Sequence, residues 1–151
     1  GKGQLQMPLN CDIDDNGDIY IADAGRMQVV AFDNSGYYLN CFGEKENFKP
    51  TDVKVKNNKI WVVNLDGHKI NVYSKDSANK LLYSFPEAEE GDEGYLYSPT
   101  NLCVTDDKVY VSDVGASKIK IYSLKGDYIS SVGTVGKGLG QFVRPKGIAV
   151  D

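Results

Sequence analysis

The sequence predicts an all-β protein of the β-propeller class, built from four-stranded antiparallel blades. One pattern repeats along the 151 residues, and each copy opens with a proline, at Pro8, Pro50, Pro99 and Pro145. Each of the first three copies contains four short runs in which apolar and polar residues alternate, and none of them has helical periodicity. Four strands per unit at a period of about 40–50 residues indicate propeller blades.

Each predicted strand occupies the same place in its copy. The first strand follows the proline, the second is aromatic and ends in Asp or Asn, and the third and fourth form a further hairpin. The predicted strands are 10–14, 18–23, 28–33 and 37–42 in the first copy, 52–56, 59–64, 69–74 and 80–85 in the second, and 101–105, 108–113, 118–123 and 127–132 in the third.

Turn residues support these boundaries. The segments 15–18 and 34–36, and the pair Asn57 and Asn58, contain the Asn, Asp and Gly residues that tolerate positive φ in tight hairpins. The segment 86–99 between the second and third copies is long, acidic and irregular, which predicts an exposed loop. Propellers often place their contacts in such loops.

The repeats predict one propeller segment over residues 1–151. Blade 1 covers about 8–43, blade 2 about 50–86, blade 3 about 99–133, and about 145–151 forms the first strand of a fourth blade. A closed ring needs at least about four blades, so three blades leave two apolar blade faces bare. Either the segment belongs to a longer chain, or two copies join into one ring of about six blades.

Composition narrows the class of protein. Hydrophobic residues make up 41% and charged residues 25% of the chain, which indicates a folded globular protein. No apolar run is long enough to span a membrane. The net charge of −4 argues against a nucleic-acid partner.

The three cysteines form no C-x-x-C pair, and Cys11 occupies an apolar repeat position, which predicts a small buried hydrophobic residue.

One acidic cluster has the spacing of a calcium loop. Asp12, Asp14, Asn16 and Asp18 resemble the start of the D-x-[DN]-x-[DN]-G pattern, whose oxygens converge on Ca²⁺. The twelfth position is Asp23 rather than a bidentate Glu, and no other copy repeats the cluster. A hairpin turn is therefore the favoured interpretation, with no cofactor expected, and calcium binding is the alternative.

Four further residues are candidates for contacts at a channel mouth. Asp23, Asn64 and Asp113 end the second strand of successive blades, and His68, the only histidine, lies in the turn that follows one of them. Their recurrence predicts a structural role, in which they accept backbone N–H groups in the following turn. A ring of such groups could also bind a cation or a basic partner. Catalysis or zinc binding at His68 would need further His or Cys residues nearby.

The equivalent aromatic residues Tyr20, Trp61 and Tyr110 are predicted to lie in the cores between blades. No Ser-His-Asp set, phosphate loop or pair of catalytic acids is recognisable, so no catalytic residue is assigned.

The motifs resemble a known repeat over essentially the whole chain. Gly140–Asp151 follows the pattern Gly-Gln-Phe-x-x-Pro-x-Gly-Ile-Ala-Val-Asp, and Tyr20–Asp23 supplies the Tyr-Ile-Ala-Asp strand that follows it in the repeat. This combination resembles the NHL repeat. The second copy departs most, because Asn64 replaces the terminal Asp and the Gly-Gln-Phe segment is absent.

The resemblance implies a propeller, commonly six-bladed, but not one function. Proteins with this repeat include protein-binding and RNA-binding proteins, a peptide-amidating lyase and many extracellular or cell-envelope proteins, so the resemblance favours the latter locations. We expect a non-catalytic binding or scaffold module that acts through propeller loops and faces, with a protein partner or a second copy completing the ring. The alternative is part of a metal-dependent lyase or lactonase whose catalytic residues lie mostly elsewhere, and RNA binding is a third possibility.

Overall fold

A computed structural model describes residues 3–133, which form three four-stranded antiparallel sheets and confirm the all-β propeller prediction. Within this range no helix is long and apolar enough to cross a membrane. Blade 1 consists of β1 (Pro8–Ile13), β2 (Ile19–Asp23), β3 (Gln28–Phe32) and β4 (Tyr38–Phe42), blade 2 of β5 (Pro50–Lys56), β6 (Lys59–Asn64), β7 (Lys69–Ser74) and β8 (Leu81–Phe85), and blade 3 of β9 (Pro99–Val104), β10 (Lys108–Asp113), β11 (Lys118–Ser123) and β12 (Tyr128–Val132).

All twelve predicted strands are present, and every bound lies within two residues of its predicted position. The predicted strand of a fourth blade, at 145–151, lies outside the described residues. The strands of each sheet follow one another in chain order, so each blade is a meander. The turn prediction is also confirmed at Asn57 and Asn58, whose φ values are 55° and 58°.

The first strands begin earlier than predicted. Pro8, Pro50 and Pro99 are themselves the first residues of their strands, and Pro8 pairs with Asp23 while Pro50 pairs with Asn64. Proline has no N–H to donate, but the first position of a strand tolerates this loss. Strand β1 ends at Ile13, so Asp14 lies in the turn and not on the strand as predicted.

The blades pack face to face through two apolar cores. Alternation along β6 sends Ile60 and Val62 towards blade 1, and Trp61 and Val63 towards blade 3. The core between blades 1 and 2 contains Tyr20, Ala22, Val29, Ala31, Phe42, Phe48, Val53, Ile60, Val62 and Tyr73. The core between blades 2 and 3 contains Trp61, Val63, Ile70, Val72, Phe85, Leu96, Leu102, Val109, Val111 and Tyr122.

The prediction of interblade aromatic residues is confirmed for Tyr20 and Trp61, which are buried in these cores. Tyr110 is only half-buried, because its position in the repeat faces away from blade 2. The prediction for Cys11 is wrong: its thiol is exposed, whereas the equivalent Val53 and Leu102 are fully buried. Cys11 lies on the side of blade 1 that faces away from blade 2, and no described blade packs there.

Polar side chains link the inner strands of blades 1 and 2. Asn10 donates from Nδ2 to the Thr51 carbonyl oxygen at 2.7 Å, and Asp12 Oδ2 accepts the Val55 N–H at 2.8 Å. These bonds pin β1 to β5 at the inner edge of the two blades.

Side-chain hydrogen bonds of the same kind link the inner strands of blades 2 and 3. The Thr51 hydroxyl donates to the Thr100 carbonyl oxygen at 2.9 Å, and Asp52 Oδ2 accepts the Leu102 N–H at 2.9 Å. Each inner strand therefore contacts the next one through its own polar side chains.

Candidate functional site

Asp23 holds the start of blade 1 together. Its Oδ1 accepts N–H groups from Met7, Gly25 and Arg26 at 2.8–3.1 Å, and its Oδ2 accepts the Gln6 N–H at 2.8 Å. Burial alone would raise the pKa of this carboxyl group, but the four backbone donors outweigh burial and hold the pKa below its ordinary value. The carboxylate thus joins the segment before β1 to the turn after β2.

Asp113 does the same in blade 3. Its two oxygens accept four backbone N–H groups at 2.8–3.3 Å, from Tyr97, Ser98, Gly115 and Ala116.

Asn64 takes this place in blade 2 with one difference. Its Oδ1 accepts the Lys49 and Gly67 N–H groups at 3.0 and 3.1 Å, but its Nδ2 donates to the Asn47 carbonyl oxygen at 3.0 Å. The predicted turn hydrogen bonds of Asp23, Asn64 and Asp113 are therefore present. All three side chains are buried, and their oxygens lie within these turns. Contacts of these residues at a channel mouth stay a prediction.

The cluster with the spacing of a calcium loop contains the hairpin turn that the sequence favours. Asp14 Oδ1 accepts the Asn16 and Asp18 N–H groups at 2.9 and 3.0 Å, and its Oδ2 lies 3.1 Å from the Lys75 ammonium. Burial works to raise the pKa of Asp14, but these donors and the ammonium lower it. Asp12 is bonded to blade 2 instead. Residues 3–133 contain no group of three or more His, Cys, Asp or Glu side chains arranged to hold a metal ion.

His68 occupies the turn position for which it was predicted. Its φ is 56°, and the equivalent residues Met27 and Ser117 both have φ of 55°, so this position of the β2–β3 type of turn is left-handed in all three blades. Left-handed backbone is unfavourable for most residues other than glycine and asparagine.

The imidazole ring also contacts the segment that leads into blade 3. His68 Nδ1 lies 3.1 Å from the Leu96 carbonyl oxygen and 3.0 Å from the Tyr97 carbonyl oxygen. Because both partners only accept, Nδ1 carries the proton. The ring stacks on Tyr95 with centroids 5.5 Å apart. The histidine therefore fixes the path of the linker between blades 2 and 3.

A buried lysine, which the sequence analysis missed, completes this cluster. Lys120 is only 3% exposed, and its ammonium lies 3.1 Å from Asp113 Oδ2. The ammonium also donates to the Tyr95 carbonyl oxygen and lies 5.1 Å from the centroid of the Tyr97 ring, a cation–π distance. The sequence contains a signal for this lysine. Lys120 occupies the strand position that is Asn71 in blade 2 and Val30 in blade 1, neither of which is charged.

A cleft with a volume of about 1060 Å³ lies between blades 2 and 3. We call it the outer cleft. Strand β8, the β11–β12 turn with Tyr128, and the segment 86–94 line it. Its walls and rim are formed mainly by Lys59, Tyr83, Phe85, Glu87, Asp92, Glu93, Leu124, Lys125, Asp127 and Tyr128.

Two contacts shape the outer cleft. The Tyr83 hydroxyl donates to the Leu124 carbonyl oxygen at 2.7 Å, which bridges the two blades. Gly126, with φ of 98°, packs directly on Phe85, and a Cβ built there would lie 2.5 Å from the Phe85 ring. The sequence predicted that the loop 86–99 makes contacts. The aromatic walls of the outer cleft, however, come from β8 and β12, which lie far apart in the chain.

Comparisons with known proteins agree with the fold. A family described as a 6-bladed beta-propeller (DUF5128) matches residues 84–151. No curated protein matches the chain.

Solved structures are similar in fold only. A streptogramin B lyase is 14% identical, with a TM-score of 0.68 over 88% of this chain and 42% of that chain. Hydrazine synthase of Kuenenia stuttgartiensis is 13% identical, with a TM-score of 0.67 over 87% of this chain and 37% of that one. A chain of a nidogen/laminin complex is 13% identical, with a TM-score of 0.65 over 84% and 47%. This chain thus spans less than half the length of the propellers it resembles.

Proposed function

We propose that this chain is a propeller segment of the NHL type and serves as a non-catalytic binding module. Its blades stack with further blades into a closed ring, supplied by a longer chain or by a second copy, and its loops bind a protein or ligand. The bare face of blade 1 is the observation that carries this proposal.

That bare face includes Cys11 and Ile13 on β1. Both are exposed, Ile13 to 58%, whereas Val53, which is equivalent to Cys11, is fully buried against the preceding blade. Exposed apolar surface of this kind marks an interaction site. Because the equivalent face of blade 2 is covered by a blade, a blade is the occupant that fits the face of blade 1.

The opposite end of the segment supports the same proposal. Thr51 bonds through its hydroxyl to the next inner strand, but the equivalent hydroxyl of Thr100 is buried with no hydrogen-bond partner among the described residues. A further inner strand would satisfy it, since buried polar groups are almost always paired. The match to a six-bladed family over 84–151 is consistent with continuation of the ring.

Light scattering on the purified chain tests this proposal. We expect a mass of two chains rather than one chain of 16.6 kDa, because two three-blade segments cover each other's bare faces. Ile13→Lys should dissociate the assembly. Tyr37→Lys is the matched control, because Tyr37 is 73% exposed in the β3–β4 turn, away from that face. A single-chain mass at all concentrations would contradict closure of the ring by a second copy, as would equal dissociation by both variants, and would leave a longer chain as the source of the further blades.

Part of a lyase or lactonase is the second candidate function, and the similarity to a streptogramin B lyase favours it. The test is turnover of a panel of lyase and lactonase substrates with divalent metals added. Turnover that is lost in His68→Ala but retained in a variant of an exposed residue, Asp66→Asn, would support this candidate over a binding module.

A further inference from the structure

We propose that the outer cleft binds a short basic peptide segment, in which a Lys or Arg side chain lies next to an apolar residue. This inference rests on the proposed binding function and names the class of ligand. It follows from the shape, the aromatic walls and the charge of the cleft.

The size and stability of the cleft suit a peptide segment. Its volume of about 1060 Å³ lies just above the usual range of small-molecule sites, which is roughly 300–1,000 Å³. The segment on one side is firmly held, because Leu96 is fully buried, Tyr122 donates from its hydroxyl to the Gly94 carbonyl oxygen, and Lys69 donates to the Pro86 carbonyl oxygen at 2.7 Å. A preformed cleft lowers the ordering cost of binding.

Aromatic rings line the cleft in fixed positions. Phe85 is buried, while Tyr83 and Tyr128 are half-buried, so part of each tyrosine ring faces the opening. The Tyr83 hydroxyl is held by Leu124, and the Tyr128 hydroxyl lies 2.6 Å from Ser131 Oγ. Rings fixed in this way offer apolar contact to a side chain and a π face to a cation.

The charge of the cleft favours a cationic ligand. Glu87, Glu93 and Asp127 are exposed on its rim, and none of them forms an ion pair with another residue in the described range 3–133. Asp92 adds a fourth carboxylate, against the two ammonium groups of Lys59 and Lys125. The adjoining residues Glu89 and Glu90 are also acidic, and 86–98 contains no Lys or Arg.

The arrangement of these carboxylates suits a peptide better than a metal ion. No three acidic side chains converge within coordinating distance in the described part of the chain. Carboxylates spread along a rim match cationic side chains spaced along an extended peptide, and each exposed ion pair contributes about 0.2–1 kcal/mol. The aromatic walls between them match the apolar residue.

Isothermal titration calorimetry with two synthetic pentapeptides tests the inference. The probes are acetyl-Lys-Leu-Arg-Phe-Lys-amide and the charge-inverted acetyl-Glu-Leu-Glu-Phe-Glu-amide. The triple variant Glu87→Gln, Glu93→Gln, Asp127→Asn removes three of the four carboxylate charges, leaving Asp92, with little change in side-chain shape. The control is Asp15→Asn, Glu46→Gln, Asp66→Asn, which changes the net charge equally at exposed positions outside the cleft.

We expect the basic peptide to bind the unmodified protein, and the rim variant to bind it about tenfold more weakly, as the loss of three exposed ion pairs implies. The control variant should lose less than about threefold. Equal losses in both variants would overturn the inference, because they indicate diffuse charge attraction. Stronger binding of the acidic peptide would overturn the ligand class and leave the binding function standing. If neither peptide binds, the peptide inference is wrong, but the proposed binding module is not contradicted, because light scattering tests ring assembly independently.

Discussion

The two blade junctions are built from equivalent strands but differ in the segments that lead into them. The segment 43–49 before blade 2 is short, and the core beside it includes the small side chains of Ala22 and Ala31. The segment 86–98 before blade 3 is longer and acidic, and the core beside it includes Trp61 and Phe85. The outer cleft and the Lys120 cluster both occur at the second junction. In this chain the repeated strands supply the framework, and the linker determines the local chemistry.

A smaller difference shows the same relation between linker and side chain. Asp23 accepts an N–H from its linker with each oxygen, whereas Asn64 must donate to the Asn47 carbonyl oxygen. Asn47 has a φ of 52°, and its carbonyl oxygen lies 3.0 Å from Asn64 Nδ2. An amide is therefore required where the linker presents a carbonyl, and a carboxylate where it presents only donors.

The largest expected effect is a difference between the two interblade cores in the stability lost when an aromatic residue is removed. Trp61→Ala should lower the free energy of unfolding by about 3–5 kcal/mol, because it removes the largest fully buried side chain between blades 2 and 3. The equivalent Tyr20→Ala at the other junction should cost less, since Tyr20 is smaller and less completely buried. Urea denaturation measures both, and an equal or reversed order would contradict the comparison.

Substitution of the buried Lys120 should cause the next largest loss in the free energy of unfolding. Lys120→Met leaves the Asp113 carboxylate buried without its cation, and we expect a loss of about 3 kcal/mol in the free energy of unfolding. Lys54→Met is the matched control, because Lys54 pairs with Asp52 at 3.3 Å but is 32% exposed. The control should cost less than about 1 kcal/mol. Equal losses would show that Lys120 contributes no more than a surface ion pair.

Exchanging the acid and the amide should destabilise both blades. Asp23→Asn places an NH₂ group against backbone donors, and Asn64→Asp places a carboxylate against the Asn47 carbonyl oxygen. Each change should cost about 1–3 kcal/mol by leaving buried groups unpaired. A neutral outcome at either site in urea denaturation would contradict the requirement for a specific partner.

The stabilisation that the Asp23 carboxylate provides should depend on pH. The folded protein lowers the pKa of Asp23, so its stabilising contribution is present above the unfolded pKa of about 3.9 and is lost as pH falls through the folded pKa. The stability difference between the unmodified protein and Asp23→Asn should therefore be largest near neutral pH and shrink below about pH 4. A difference that stays constant down to strongly acidic pH would contradict this role of the charge.

The smallest expected effect concerns the left-handed turn position. Met27→Gly should raise the free energy of unfolding by up to about 1 kcal/mol, because glycine relieves the strain of a φ of 55° at a half-exposed side chain. His68→Gly relieves the same strain but removes the ring contacts with Leu96, Tyr97 and Tyr95, and should lower stability. Thermal denaturation compares the two, and shifts of the same sign would contradict the assignment.

Local patterns predicted most of the fold, the turn roles and the burial of Tyr20 and Trp61, but not the exposure of Cys11 or the cleft. Alternation and turn residues located every strand, and recurrence identified the hydrogen-bonding role of Asp23 and Asp113. The burial of Cys11 was predicted wrongly, because burial depends on a neighbouring blade and not on the repeat position. The outer cleft combines Tyr83 with Tyr128, which come together only when the blades stack.

Thiol labelling of Cys11 tests the stacking of bare blade faces most directly. Cys11 is exposed on the face that we propose a further blade covers. Labelling of the assembled protein, read out by peptide mass mapping, should proceed slowly at Cys11 and become fast when Ile13→Lys disrupts that face. Labelling of Cys11 at the same rate in the assembled protein, the Ile13→Lys variant and the urea-unfolded chain would contradict the account, because it would show that this face stays open to solvent.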